Sequence, residues 1–374
     1  MKKNLIIISL LMFVLCAFNF TSPAYSLEVN MVNGKKVVKW KANTLWPPSI
    51  NLIDADVYMA NLINKLSNGR LIVELNPAGS IVSTKEVFDA VRTGTLDASS
   101  DYPGYWAGKN MPALDFYYSF AMGMTPVDMD MWFYHGGGKE LLSEIYGKHG
   151  LVPLLNSATG MESGFRSNRP LKTAEDFKGL KVRMGTRPAQ YVVKKLGGLP
   201  MLLAGGEVYT ALERGTIDAA EFSVPSTDWK MGLQEVTKYQ CLPGWYQVMY
   251  GGGWIINKKA WDALDEDLKL LVETAARLTY FWSYTKVSYE SIEAQKNFIE
   301  HGTIITTLDE PTMDLIEKYI NEYVETWSKK DPMFKKVAQS YFQFFKDFKY
   351  IRDMEEARSL GFGHTPKTYP NIFN

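Results

Sequence analysis

Residues 86 to 98 read EVFDAVRTGTLDA and residues 207 to 219 read EVYTALERGTIDA, identical at seven of thirteen positions. This duplication constrains the fold most, because a helix–turn–strand unit has to be housed twice. The elements ahead of each copy also correspond. Before and through the first copy the pattern gives a strand around Val37 to Ala42, a helix from about Asp54 to Leu66 and a strand from Leu71 to Leu75. A helix from Thr84 to Arg92 and a strand near Thr95 to Ser100 follow. The turn Ser67-Asn68-Gly69 and Gly94 end the two helices as C-caps do. Ahead of the second copy lie a strand Leu180 to Met184, a helix Arg187 to Leu196 and a strand Pro200 to Leu203. A generic αβ connection matched by chance is the alternative, and it leaves the shared upstream order unexplained.

Alternation of this kind predicts an α/β chain with mainly parallel sheets and helices outside, built as two βαβαβ lobes offset by 121 residues. Two such lobes make a periplasmic-binding-protein-like clamshell, in which ligand binds between lobes and closure buries it. Later segments must cross back. Gly251-Gly252-Gly253 opens a strand to Ile256, a long helix runs from about Asp265 to Glu300, and a strand covers Ile304 to Thr307. Helices near Met313 to Lys329 and Pro332 to Leu360 close the chain. The division that follows is a leader over 1–26, lobe one over 27–156 plus about 245–285, and lobe two over 157–244 plus about 286–330. Residues 331–374 form a C-terminal helical extension.

Lys2 and Lys3 precede an almost wholly apolar run from Leu5 to Phe18, and Ala24-Tyr25-Ser26 offers small residues for cleavage. The run is too short for an anchor, since a spanning helix needs about 20 residues. Leu15 before Cys16 argues against a lipoprotein site. Removing 26 residues leaves 348 with a formal charge of −2 and Cys241 as the one cysteine, so no internal disulfide is available. An exported, unanchored chain of this kind points to a bacterial periplasm. The balance of 41 basic against 41 acidic residues gives no basic excess and excludes a nucleic-acid partner on composition.

In open α/β sheets, ligands sit beyond the carboxyl ends of the strands. Lobe one places Trp46 there, together with Tyr102, Tyr105 and Trp106. Lobe two places Arg183 at the end of its first strand and Glu221-Phe222 at the end of its last. Arginine is the natural clamp for a carboxylate because its forked donors match two oxygens, although Arg183 could equally be a surface strand-end arginine. Enzyme motifs are poor. His135-Gly136-Gly137-Gly138 mimics an oxyanion loop, but no G-x-S-x-G elbow exists, and a turn or cap is the plainer role. His135, His149, His301 and His364 form no ligand pair, and no P-loop or GxGxxG is present. The aromatic and methionine content fits core packing better than a sugar groove.

Across essentially the whole mature chain, LSNGRLIVELNPAG, FDAVRTGTLDA, YWAGKNMPA, LKTAEDFKGLKVRM, KKLGGLPMLLAGGEVYTALERGTIDAAE and PGWYQ resemble one family. It is that of the solute-binding subunits of tripartite ATP-independent periplasmic (TRAP) transporters, of the dicarboxylate-receptor type. The resemblance implies capture of organic acids, without chemical turnover, and delivery to membrane permease subunits. It also implies that Arg183, in KVRMG, binds the substrate carboxylate. AGGE, PGW and YWxGK look like the subgroup that binds 2-oxo and 2-hydroxy monocarboxylates such as pyruvate or lactate through a metal ion.

By that resemblance the metal ligands fall on Glu162, Glu221, the carbonyl of Phe222, and Gln247, while Trp46 and Tyr105 close the pocket. The chain departs twice, with glutamate for glutamine at 162 and glutamine for glutamate at 247. The exchanges cancel in charge and keep every donor an oxygen, which suits a hard cation unless metal binding has been lost. Two glutamates, one arginine and a monoanion sum to −2, so calcium neutralises the site and sodium leaves −1. Gly164-Phe165-Arg166 resembles a G-x-R element of dicarboxylate and sialic-acid binders. Arg166 then meets a second acidic or hydroxyl group, or else pairs with Asp or Glu on the surface. The readings that compete are a metal-free binder of a dicarboxylate or sugar acid using Arg166 and Arg183, and an exported hydrolase using His135. The aromatic C-terminal helix either forms a homodimer contact or packs back on its own lobes.

Overall fold

The structure is a computed structural model that describes residues 27–356 apart from Asn33, Asn110 and Ser119. The leader read over 1–26 and the end of the C-terminal extension, 357–374, lie outside the described residues. Strand β1 (Glu28–Val32) pairs antiparallel with β2 (Lys35–Asn43), and the first α/β unit continues through α1 (Ile53–Leu66), β3 (Leu71–Asn76), α2 (Val87–Thr93) and β4 (Ala98–Asp101). Gly94 takes the left-handed conformation at φ 86° that ends α2. Helices α3 (Asp115–Tyr118), α4 (Pro126–His135) and α5 (Gly138–Gly147) lead into β5 (Leu151–Ala158). The His135 glycine run is the α4–α5 turn, with Gly137 at φ 86°.

Lobe two repeats the plan with β6 (Phe165–Ser167), β7 (Lys181–Arg183), α6 (Arg187–Lys195), β8 (Leu199–Met201), α7 (Gly205–Glu213), β9 (Ala219–Ala220), α8 (Pro225–Lys230) and β10 (Tyr239–Leu242). The chain then returns through β11 (Gly251–Asn257), the 35-residue α9 (Glu266–Glu300), β12 (Ile304–Thr307), α10 (Glu310–Lys330) and α11 (Pro332–Glu356). The duplicated motif has one structural job in both lobes. Asp97 donates its N–H to the Lys41 carbonyl (2.9 Å) and accepts the Lys41 N–H on its carboxylate (2.7 Å). Asp218 does the same with Lys181, at 2.7 and 2.9 Å. The repeated aspartate therefore pins the last strand of each unit to the first, and both units have parallel order, β3-β2-β4 and β8-β7-β9.

The expectation of mainly parallel sheets needs correction. The sheets run β1-β2-β4-β11-β5, with β3 also on β2, and β12-β10-β6-β9-β7-β8. Strand β11 is antiparallel to both β4 and β5, and β6 is antiparallel to both β9 and β10. The added strands arrive from outside the βαβ units, so no right-handed crossover forces them parallel.

Fully buried Trp40, Met59, Trp254 and Ile256 pack the α1 side of sheet one, and burial of each such side chain contributes roughly 1.5–3 kcal/mol. Helix α9 packs on β5 and α1 of lobe one and on α8 of lobe two, so one rigid element touches both lobes. Helix α10 packs on α6 of lobe two, while α11 packs on α5 and on residues 112–114 of lobe one. Phe334, Val337, Ala338 and Tyr341 of α11 are buried, with Tyr341 against Phe116, Phe120 and Trp132 and its hydroxyl accepting the Met124 N–H at 2.7 Å. The amino-terminal half of the apolar face thus packs back on lobe one, while Phe342, Phe344, Phe345 and Phe348 are only partly buried. No described helix is long and apolar enough to cross a membrane.

Candidate functional site

The two lobes meet at a narrow cleft, with a cavity of about 20 Å³, walled by Trp46, Leu52, Tyr102, Tyr105 and Tyr250 on one side and by Arg183, Phe222, Ser223 and Gln247 on the other. Arg183 ends β7, directly across the ladder from Ala220, so Glu221 leaves β9 beside it. Arg183 Nη1 donates to Glu221 Oε2 (2.6 Å) and to the Glu221 carbonyl (2.9 Å), and Nε donates to the Leu203 carbonyl (3.2 Å). Nη2 makes no hydrogen bond among the described residues. The guanidinium lies 5.2 Å from the Phe222 ring centre. Glu221 Oε1 accepts the Gly185 N–H. Arg183 is therefore a buried arginine held by three protein bonds, with one terminal nitrogen left to meet a ligand.

Glu162 lies in the loop between β5 and β6. Its N–H donates to the Gln247 carbonyl (3.1 Å), and its Oε1 accepts the Gln247 side-chain amide. Gly244 makes this approach feasible, since a Cβ there would stand 2.2 Å from the Glu162 carbonyl oxygen. The same demand explains Gly164, at φ 83° with a Cβ position only 2.0 Å from the Cys241 carbonyl.

Glu162 and Glu221 are both buried at this wall of the cleft. Burial, and then the negative charges of Glu221 and Asp228, push the Glu162 carboxyl well above the ordinary carboxylate range. Its Oε2 is buried without a partner among the described residues. Two buried carboxylates with one arginine stay ionised only if a further positive charge lies between them; otherwise one holds a proton. The donor set of two carboxylates, the Gln247 amide and the Phe222 carbonyl fits a hard cation. No group of three or more His, Cys, Asp or Glu that could hold a metal exists among the described residues, so the amide and the carbonyl are needed to complete it.

Lobe one brings rings and no charge. Trp46 stands 6.5 Å from Tyr102, 6.5 Å from Tyr105 and 6.0 Å from Tyr250, centre to centre. The Tyr105 hydroxyl faces the Gly205 backbone at the start of α7, on the other lobe. Trp106 turns away, donating to Asp101 at 2.5 Å. Tyr250 and Leu52 were missed in the sequence. Strand β11 is antiparallel, so its amino end abuts the cleft, and a rule about carboxyl ends passes over Tyr250.

Arg166 is placed elsewhere. It is 0% exposed, donates from Nε to Asp228 Oδ2 (3.0 Å) and lies 3.6 Å beneath the Phe298 ring. It pairs with an aspartate, as one alternative held, but in the interior and not on the surface. A second unanticipated contact joins the lobes, where Arg187 Nη2 and Nε meet the Asp115 carboxylate at 2.9 and 3.2 Å, and Tyr323 donates to it at 2.6 Å.

The fold and this cleft define a two-lobed binding protein that closes on a small solute. Residues 42–330 match the model of bacterial extracellular solute-binding protein family 7, DctP, and the chain belongs to that family of TRAP transporter receptors, which bind substrates and are not enzymes. A Nostoc protein named a monocarboxylate 2-oxoacid-binding periplasmic protein is 30% identical over 83% of this chain and 84% of its own. A TRAP solute-binding protein of Bordetella bronchiseptica, with copurified calcium and picolinate, is 28% identical with a TM-score of 0.83, covering 86% of this chain and 96% of that one. One from Pseudoalteromonas atlantica, with bound sodium and pyruvate, is 29% identical with a TM-score of 0.81, covering 86% and 98%. The hydrolase reading is closed by the family, and exposed His135 serves the α4–α5 turn.

Proposed function

We propose that the protein is a periplasmic receptor for a small 2-oxo or 2-hydroxy monocarboxylate, such as pyruvate or lactate, which it delivers to the membrane permease subunits of a TRAP transporter. The observation that carries the reading is a buried cluster at the lobe-two wall, in which Arg183 is ion-paired with Glu221 and Glu162, bonded through Oε1 to the Gln247 amide, keeps its Oε2 unpartnered among the described residues. Glu162, Glu221, the Gln247 side-chain oxygen and the Phe222 carbonyl would hold the cation, and Arg183 Nη2 meets the substrate carboxylate. A bound cation supplies positive charge that chelates the carboxylate together with its neighbouring oxo or hydroxyl oxygen. The chain's own residues orient and enclose the acid, with Trp46, Tyr102, Tyr105 and Tyr250 excluding water from its carbon chain. Calcium balances the formal charge better than sodium, and the two relatives named above hold one ion each. The cleft walls carry no second arginine or lysine, which supports a monocarboxylate over a dicarboxylate.

Titration calorimetry with pyruvate, lactate and longer 2-oxo acids, before and after chelation with EDTA, tests this. Binding should appear only with calcium or sodium present. Full affinity in metal-free buffer, or a preference for dicarboxylates, would overturn it.

A further inference from the structure

We infer that Asp228 is the residue that positions the cation donors, and that Arg166 is its counter-ion. The inference rests on the proposed cation-assisted site. The donors come from three segments far apart in sequence, at 162, 221–222 and 247, and something must hold them in register before an ion arrives. Asp228 lies at the junction. Its Oδ1 accepts the Ser223 N–H at 3.1 Å. That N–H belongs to the same peptide unit as the Phe222 carbonyl. In a planar trans peptide the C=O and N–H point in opposite directions, so fixing one aims the other away from Asp228.

The second carboxylate oxygen, Oδ2, accepts from the Ser163 hydroxyl and from Arg166 Nε (3.0 Å). Ser163 knots the segments together. Its N–H donates to the Ser223 carbonyl at 3.0 Å, and its hydroxyl hydrogen is shared between that carbonyl (3.0 Å) and Asp228. Its own carbonyl accepts Gln240 Nε2 at 2.6 Å. Glu162, one residue earlier, is thereby tied to the 221–223 turn.

Arg166 fits no other role. Its Nη1 and Nη2 are buried without hydrogen-bond partners among the described residues, and Asp228 is its salt-bridge partner. A guanidinium so deeply buried is costly unless paired, and here it keeps Asp228 a charged acceptor for two donors. Through Phe298 above Arg166, and through Gln240 paired with Gln295 at 2.9 Å, the cluster also rests on α9, the helix that touches both lobes. Outer partners of this kind typically change metal affinity about 10- to 100-fold when removed.

The test uses the full mature chain without organic acid, with calcium measured by calorimetry and terbium luminescence lifetimes in H2O and D2O reporting bound waters. Asp228→Asn should weaken calcium binding about 10- to 100-fold and add about one water to bound terbium, because a donor is lost. Ser163→Ala should shift both readouts in the same direction by less, and it decides the matter alone if Asp228→Asn does not fold. Unchanged affinity and hydration in either folded variant would overturn the inference. A wild-type chain that takes up neither calcium, sodium nor terbium would instead overturn the cation site itself. General destabilisation lowers the melting temperature but does not add water to the ion.

Discussion

The two walls of the cleft are made of different matter. Lobe two supplies Arg183, Glu162 and Glu221, all buried, with Arg183 bonded to Glu221 and Glu162 to Gln247. Lobe one supplies Trp46, Tyr102, Tyr105 and Tyr250, packed on one another with no charge among them. The charged wall is expensive to assemble and is held in place before any ligand arrives. The aromatic wall gains from excluding water whatever small acid lies beneath it. Binding strength should therefore reside in lobe two, and closure and the fit to the acid's carbon chain in lobe one.

Arg183→Ala is the strongest way to break that contrast. It removes the carboxylate donor and strands Glu221 as a buried charge without its partner, a defect worth about 3–5 kcal/mol. Calorimetry should show loss of pyruvate or lactate binding by at least about 100-fold in a chain that still folds. Weakening of a few fold would mean that the wall's charge does not hold the acid.

The carboxylates outside the cleft sharpen the same contrast. Asp228 in lobe two is paired with Arg166, whereas Asp101 in lobe one is held by neutral donors, the Tyr118 and Tyr146 hydroxyls and the Trp106 indole. Burial raises Asp101 to about 6, and Asp56, held by Thr44 and Trp254, likewise to about 6. A raised native carboxyl stabilises the fold most below its unfolded value near 3.8, and that contribution disappears as pH rises through about 6. Each group should therefore cost about 2 kcal/mol between pH 4 and pH 7. Thermal melts should rise on mild acidification, with a shallower slope in Asp101→Asn; an unaltered slope would place the titration elsewhere.

A smaller effect separates the exchanged ligands. Glu162→Gln and Gln247→Glu should each weaken cation-dependent binding about tenfold, by removing or adding one charge. The double variant should return to within about threefold of the wild type, because the residues touch and their effects do not add. Additive losses would mean that 162 and 247 do not serve one ion.

Much of this contrast was legible in the chain. The repeat gave the paired lobes because its aspartates do the same job twice, and Arg183, Glu221 and Trp46 follow from strand ends. Arg166 shows where reading stopped. Its partner Asp228 is 62 residues away and its ring contact Phe298 lies on another helix, so no local pattern distinguishes a ligand arginine from a bracing one. Tyr250 escaped because strand direction in β11 depends on where the chain returns. The role of the α11 face stayed open between a partner and the chain's own lobes because the packing of Tyr341 against Phe116 and Trp132 is a tertiary fact.

The smallest predicted effect tests whether the aromatic wall acts through closure. Tyr105→Phe keeps the ring over the cleft and removes only the hydroxyl that faces the Gly205 backbone on lobe two. A single polar contact of this kind contributes at most about 0.5–1.5 kcal/mol, so affinity should fall about 2- to 10-fold. Because the hydroxyl faces lobe two only when the lobes meet, the loss should appear in the dissociation rate, with the association rate and calcium uptake unaltered. Stopped-flow tryptophan fluorescence would separate the rates. A change confined to association would place Tyr105 in the encounter with the acid and not in the closed state, and would shift part of the recognition from lobe two to lobe one.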